Sequence, residues 1–322
     1  MKLIISTSNI LSAGSSIRRS PKNSKSNAEF IESLRTNFAE HSAITTNGQV
    51  NGDSRPKKVD YQSWTTKRDG TLEIPSLDFS DSALAEEKAQ YDITVKLFYL
   101  PGATKDTRAT HTREALDLVL KELHIPSIDL LIVSFPGIYF DEEEDCPDKL
   151  STRGPVEAEP EPLEGQLETW KTLEALHDEG LVGRLGIAEF GKERLKSLLD
   201  KVRIKPSVDQ INLRDCCSVP RDLMSLAKSR SVELLVHNDC SNVLPRGTLR
   251  DLLGPEGAAV LSEPSKAGDK RKSLHGEENT NGNHTAGLSG EVQPQWVVKY
   301  TAVVKNRGVL ENKGYFAVAD LG

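Results

Sequence analysis

The chain has 322 residues, and its 41 Lys and Arg against 48 Asp and Glu give a formal net charge of −7. That balance excludes a general nucleic-acid or anionic-membrane binder, because either partner demands a cationic field. A hydrophobic content of 37% and a mean hydropathy of −0.44 are low for a fully packed protein of this length, so a folded body carrying polar inserts is expected.

The N-terminal stretch MKLIISTSNILSAG is interrupted by Ser6, Thr7, Ser8 and Asn9 before it reaches the apolar length of a secretory signal, and it reads as a buried first strand. No segment reaches the apolar length of a membrane span. A helix is expected over about 27–40, between Ser-, Lys-, Asn- and Gly-rich stretches at 11–26 and 41–70. Two further inserts, acidic and Pro-rich at 141–164 and Gly-rich at 255–292, interrupt what is otherwise one domain over 1–322. All four are expected to be disordered.

Between the inserts the pattern is regular. DITVKLFY (92–99) reads as a strand, and Leu116, Val119, Leu120 and Leu123 then recur on one face of a helix. IDLLIVSF (128–135) is the next strand, followed by a helix with Leu163, Leu167 and Trp170 on one side that ends near Gly180. RLGIAEF, KERLKSLLDKV, SVDQIN, PRDLMSLAKS and VELLVH continue the alternation of strand and helix. Strands apolar almost throughout imply a parallel sheet covered on both faces, so the class is α/β. Periodicity leaves a TIM-type barrel and a doubly wound sheet both open. Gly180, Gly183 and Gly186 form GxxGxxG between a helix and a strand, the reverse of the order that places a pyrophosphate on a helix N-terminus. They read as a helix stop and a tight turn.

The four cysteines, Cys146, Cys216, Cys217 and Cys240, lack metal-ligand spacing, and no metal site is assigned. A reduced, cytoplasmic protein is expected. Cys216 and Cys217 follow the strand SVDQIN and fall on the rim where loops carry function. They are read either as inert buried thiols or as an exposed pair able to form a mixed disulfide with a partner.

Taken together, LDLVLKELHIPSIDLLIVSFPG, TWKTLEALHDEGLVGRLGIAEFGKERLKSLL and IKPSVDQINLRDC resemble the aldo-keto reductase family, from about 92 to 240 and again over 294–319. The resemblance selects the fold: a TIM-type (β/α)8 barrel with a degenerate N-terminal part. VDQINLRDCCSVPRDLMSLAKSRSVELLVHND and WVVKYTAVVKNRGVLENKGY further resemble one branch of that family, the regulatory (modifier, light-chain) subunits of glutamate–cysteine ligase. It implies a non-catalytic protein of glutathione biosynthesis that binds the ligase's catalytic subunit and tunes glutamate affinity and glutathione feedback inhibition. An NADPH-dependent oxidoreductase and a dinucleotide-binding sensor are the alternatives.

Carbonyl reduction in that family uses a Tyr general acid tuned by a Lys and an Asp, with a His orienting the carbonyl. The resemblance puts Lys96 at the lysine position and Ser134 at the histidine position. LEIPSLDFSDSALAEEKAQ offers no matching tyrosine, and Tyr91 is too close to Lys96 along the strand to serve. A serine hydroxyl does not deliver protons near neutral pH. Lys96 and Ser134 are therefore read as vestigial, with Lys96 paired to a neighbouring carboxylate, and no catalytic residue is assigned. Where the family has G-V-S-N-F for the nicotinamide, this chain has Gly186-Ile187-Ala188-Glu189-Phe190; Gln210 is kept, and His237 stands in the place of the stacking tyrosine. No cofactor is assigned, with NADPH on Gln210 and His237 the weak alternative. Cys216, Cys217, Trp296, Lys305 and Arg307 are the candidates for the partner interface.

Overall fold

The computed structural model describes residues 1–12, 27–46, 60–80, 82–140, 157–213, 219–239, 242–262 and 287–322. Ten strands form one sheet in the order β2-β3-β1-β10-β9-β4-β5-β6-β7-β8. Its parallel part follows the expected alternation: β4 (Tyr91–Tyr99), α2 (Arg108–Leu123), β5 (Ile128–Ser134), α3 (Leu163–Asp178), β6 (Val182–Ala188), α4 (Lys192–Lys201), β7 (Val208–Ile211), α5 (Arg221–Ser229) and β8 (Glu233–Val236). Each strand from β4 to β8 pairs in parallel with the next. The rest of the sheet is largely antiparallel. β9 (Val292–Val304) and β10 (Val309–Leu321) form a long hairpin, β9 pairing with β4 and β10 with the buried N-terminal strand β1 (Lys2–Ser6). Beyond β1 lie β3 (Thr71–Ile74) and β2 (Thr66–Arg68). The degenerate N-terminal part of the barrel is thus a specific substitution, with antiparallel strands from both chain ends standing beside five parallel strands.

Alternation along the strands sends successive side chains to opposite faces. Tyr91, Ile93, Val95, Leu97 and Tyr99 of β4 pack with Leu116, Val119 and Leu123 of α2, Trp170 and Leu173 of α3, and Leu195, Leu198 and Leu199 of α4. Phe98, Val297 and Ala317 face the other way, toward Phe30, Leu34 and Phe38 of α1 (Ala28–Thr46) and Leu249, Leu252 and Leu253 of α6 (Thr248–Leu253). His124, in the left-handed conformation at φ 52°, stops α2, and Gly180 at φ 76° stops α3.

The expected inserts are narrower than composition suggested. Their described edges belong to the folded body because a few apolar residues anchor them. Residues 41–46 continue α1, while Tyr61 and Trp64 are buried, the latter ring 5.8 Å from Phe38, and β2 lies within 60–70. Leu163 opens α3 inside the acidic insert, and within 255–292 Val260 and Leu261 are buried and β9 begins at Val292. The remaining parts of all four lie outside the described residues.

Arg108 shows how the body is tied together at the start of α2. Its guanidinium is buried beneath the rings of Tyr99 and Phe135, 5.3 and 5.7 Å from their centroids, and pairs with Glu161 at 2.5 Å. Removing one partner of a buried pair leaves the other charge uncompensated. Arg108→Ala is expected to cost about 3–5 kcal/mol in urea unfolding, and the double variant with Glu161→Ala less than the sum of the two single changes.

Candidate functional site

The C-terminal ends of the parallel strands, where barrels of this class carry their chemistry, converge on a buried cluster of charges. Lys96 points inward from the middle of β4 and is only 4% exposed. Its ammonium lies 3.2 Å from Nδ1 of His237, which follows β8, and 3.3 Å from Oδ2 of Asp239. Oδ1 of the same carboxylate accepts from Nζ of Lys299 on β9 at 2.9 Å. Lys96 and Lys299 are directly opposed in the β4–β9 register, so one aspartate bridges two lysines on neighbouring strands.

These contacts require a curved sheet. Four strand spacings separate β4 from β8, about 19 Å if the sheet were flat, far more than a lysine and a histidine side chain can bridge. The hydrogen-bonded strands therefore bend into an arc with Lys96, Lys299, His237 and Asp239 on its concave side.

Glu189 completes the cluster. It follows β6 with a positive φ of 67°, a conformation that bulky residues seldom adopt. Two hydrogen bonds hold it there: its N–H donates to Gln210 O at 2.8 Å and Oε2 accepts from the N–H of Phe140 at 2.8 Å, while Oε1 lies 2.6 Å from Nε2 of His237 without forming a hydrogen bond. Nδ1 of His237 accepts from the N–H of Asp239 at 3.0 Å. The pattern assigns the proton to Nε2, which faces the carbonyl of Gln210 at 3.2 Å.

Electrostatics follow from burial and sign. Burial alone would raise the Asp239 carboxyl, but Lys96, Lys299 and His237 together outweigh it and hold the group far below the usual carboxylate range. For Lys96 burial prevails, pulling the ammonium below its ordinary value against the support of Asp239 and Glu189. Tyr315 on β10 extends the row, opposite Lys299 in register. Its hydroxyl donates to Glu29 Oε1 at 2.6 Å, and burial, Glu29 and Asp239 push it well above the ordinary tyrosine value.

The sequence expectations are distributed as follows. Lys96 is paired with a carboxylate, as expected. Ser134 is buried at the end of β5 on the same inward face, in register with Phe98. His237 and Gln210 do come together, but through the Gln210 backbone carbonyl; the Gln210 side-chain Oε1 is buried without a hydrogen-bond partner. Cys216 and Cys217 lie outside the described residues. Trp296 is fully buried between β4 and β10, so it is corrected as an interface candidate: an aromatic in a strand paired on both sides is core. Lys305 and Arg307 are exposed in the β9–β10 turn, beside Asp92 and Glu86. That turn adjoins the start of β4, the end of the sheet opposite the cluster. Asp239, Lys299, Glu29 and Tyr315 were not singled out in the sequence, although a lysine inside the apolar run WVVKYTAVV was the available signal.

The chain belongs to the aldo/keto reductase family, whose model matches residues 75–250. Within that family it is 30% identical to a Schizosaccharomyces pombe protein provisionally named glutamate–cysteine ligase regulatory subunit, over 71% of each chain. It is 24% identical to the Homo sapiens glutamate–cysteine ligase regulatory subunit, over 73% of this chain and 68% of that one. Among solved structures, the aldose reductase of Schistosoma japonicum aligns at 29% identity over 44% of this chain and 43% of its own, with a TM-score of 0.32. Among the described residues no helix is long and apolar enough to cross a membrane.

The cluster predicts an acid sensitivity with a definite sign. Folded Asp239 holds its proton less tightly than the unfolded chain does, so unfolding takes up a proton below an unfolded value of about 4. The stabilisation is present above that pH and is lost as pH falls toward the depressed folded value. Asp239→Asn should lower stability at pH 7 and flatten the fall in stability below about pH 4, read from denaturant midpoints at each pH.

Proposed function

We propose that this chain is the regulatory subunit of a glutamate–cysteine ligase, a non-catalytic partner that binds the catalytic chain and tunes its glutamate affinity and its feedback inhibition by glutathione. The observation that carries this reading is the likeness to ligase regulatory subunits over more than two thirds of the chain. The geometry of the cluster supports it. A reductase needs a proton donor tuned near the working pH beside its lysine, whereas Lys96 bonds to His237 and Asp239, and the nearby Tyr315 hydroxyl is engaged by Glu29 and pushed away from that range. Groups that act as a unit in catalysis fail as a unit when members are missing.

The groups present do not suit a nicotinamide either. Glu189 Oε2 accepts from Phe140 N–H and Oε1 is buried 2.6 Å from His237 Nε2, and both ring nitrogens of His237 are engaged within the cluster. No cofactor is therefore part of the proposal, and purified protein is expected to leave NADPH absorbance unchanged in the presence of reactive aldehydes. Aldehyde-dependent oxidation of NADPH that disappears in Lys96→Met would reverse it.

A subunit without reacting groups acts only by binding one conformation of its partner more tightly than another. A coupling of about 1–3 kcal/mol gives a several-fold or larger change in affinity, and it is reciprocal. Saturating glutamate should tighten association with the catalytic chain by the factor by which association tightens glutamate. Dissociation constants measured by calorimetry with and without glutamate test this, and equal values would eliminate equilibrium coupling as the mechanism.

A further inference from the structure

Among the described residues β8 is paired on one side only, with β7. In a parallel pair, alternate residues turn their amide groups to the same neighbour. Glu233 donates to Ser207 O at 2.8 Å and His237 to Ile211 O at 3.1 Å. Glu233, Leu235 and His237 therefore address β7, while Leu234 and Val236 turn their N–H and C=O groups to the open edge. β8 is also the least buried of the five parallel strands, and Val236 is 61% exposed.

The helix beside this edge is sided. Asp222 of α5 and Arg230, which caps it, reach back to α4 through Lys192 at 2.9 Å and Asp200 at 3.0 Å, and Leu223 and Ala227 face the core. By helical periodicity the side of α5 turned away from α4, toward the edge of β8, carries Arg221, Met224 and Lys228. Met224 is 45% exposed, a second exposed apolar side chain in the same helix–strand unit as Val236. The charges nearby are not balanced. Lys192 is matched by Asp222, Arg230 by Asp200 and Arg184 by Glu233, which leaves Arg221 and Lys228 without an ion-pair partner among the described residues. In a chain of net charge −7 this is a local cationic excess beside an open strand edge.

We infer that the β8 edge takes up an extended acidic segment of the ligase's catalytic chain as an added strand, an assignment that rests on the regulatory function proposed above. The amides of Leu234 and Val236 supply main-chain pairing, Val236 and Met224 receive an apolar side chain, and Arg221 and Lys228 meet the segment's carboxylates.

Val236→Pro removes an outward-facing donor while sparing the bonds of Leu235 and His237 to β7. Arg221→Glu/Lys228→Glu reverses the charge on the helix surface, where folding is least affected. Titration of wild type and both variants with the catalytic chain, at low and high salt, should show each variant binding at least about tenfold more weakly, with the salt dependence largely gone in the charge-reversed protein. If Val236→Pro fails to fold by circular dichroism, the charge-reversed variant alone decides. Wild-type binding with unchanged dissociation constants in the variants would overturn the edge assignment and leave the regulatory reading intact. Wild-type protein that does not bind the catalytic chain would remove both. Self-association of the isolated chain, abolished by Val236→Pro in sedimentation, would give the edge to a second copy and overturn the assignment to the ligase.

Discussion

One carboxylate holds the interior of this protein together. Asp239 stands three residues beyond the last parallel strand, yet it contacts lysines on β4 and β9, four and five positions away in the sheet. Whatever bends the sheet must bring these groups together, and once together they resist flattening, because opening the arc would leave the buried Lys96 and the half-buried Lys299 without their counter-charge. Curvature, the enclosed polar interior and the position of α1 are mutually dependent. Glu29, at the start of α1, meets Lys313 and Tyr315 beside the same row of charges, so the helix that covers the concave face is tied to what it covers.

The same arrangement sets what the inward lysine is bonded to. In an active barrel the inward lysine serves a proton donor. Here the lysine is stabilised by Asp239 and by a histidine whose other nitrogen is held by Glu189. Each group that would otherwise be an unpaired buried charge has become a strut. Glu189 keeps a strained backbone conformation with its N–H bonded to Gln210 and one carboxylate oxygen to Phe140, and this kind of local tension clusters at functional sites.

Much of this was legible in the sequence, and the limits have physical reasons. The units from β4 to β8 announced themselves because their strands are apolar throughout and their helices repeat Leu and Val at helical spacing. The hairpin β9–β10 did not. Its strands mix Lys, Gln, Glu and Asn with aromatic and β-branched residues, a composition that suits a sheet whose faces are partly polar but carries no turn signature as plain as Asn-Gly. Lys96 and His237 could be found from their neighbours along the chain. The bonds of Asp239 to Lys96 and to Lys299 could not, since those pairs are 143 and 60 residues apart and meet only through curvature. Trp296 misled because an aromatic near the end of a chain resembles a surface anchor until the strand pairing is known.

The hairpin also has a bearing on how the chain reaches its native form. β10, the last strand in sequence, sits between β1 and β9, and β9 in turn sits between β10 and β4. The ammonium group of Met1 donates to the carbonyl of Leu321 at 2.7 Å. During synthesis, β1 and β4 therefore emerge with one long edge each and wait for neighbours that are made well after them. Contacts of such sequence separation form slowly, and the units from β4 to β8 have the local connections to condense first. Assembly of this sheet is completed by stitching rather than by stacking, with the C-terminal hairpin as the thread that draws the two ends into one structure.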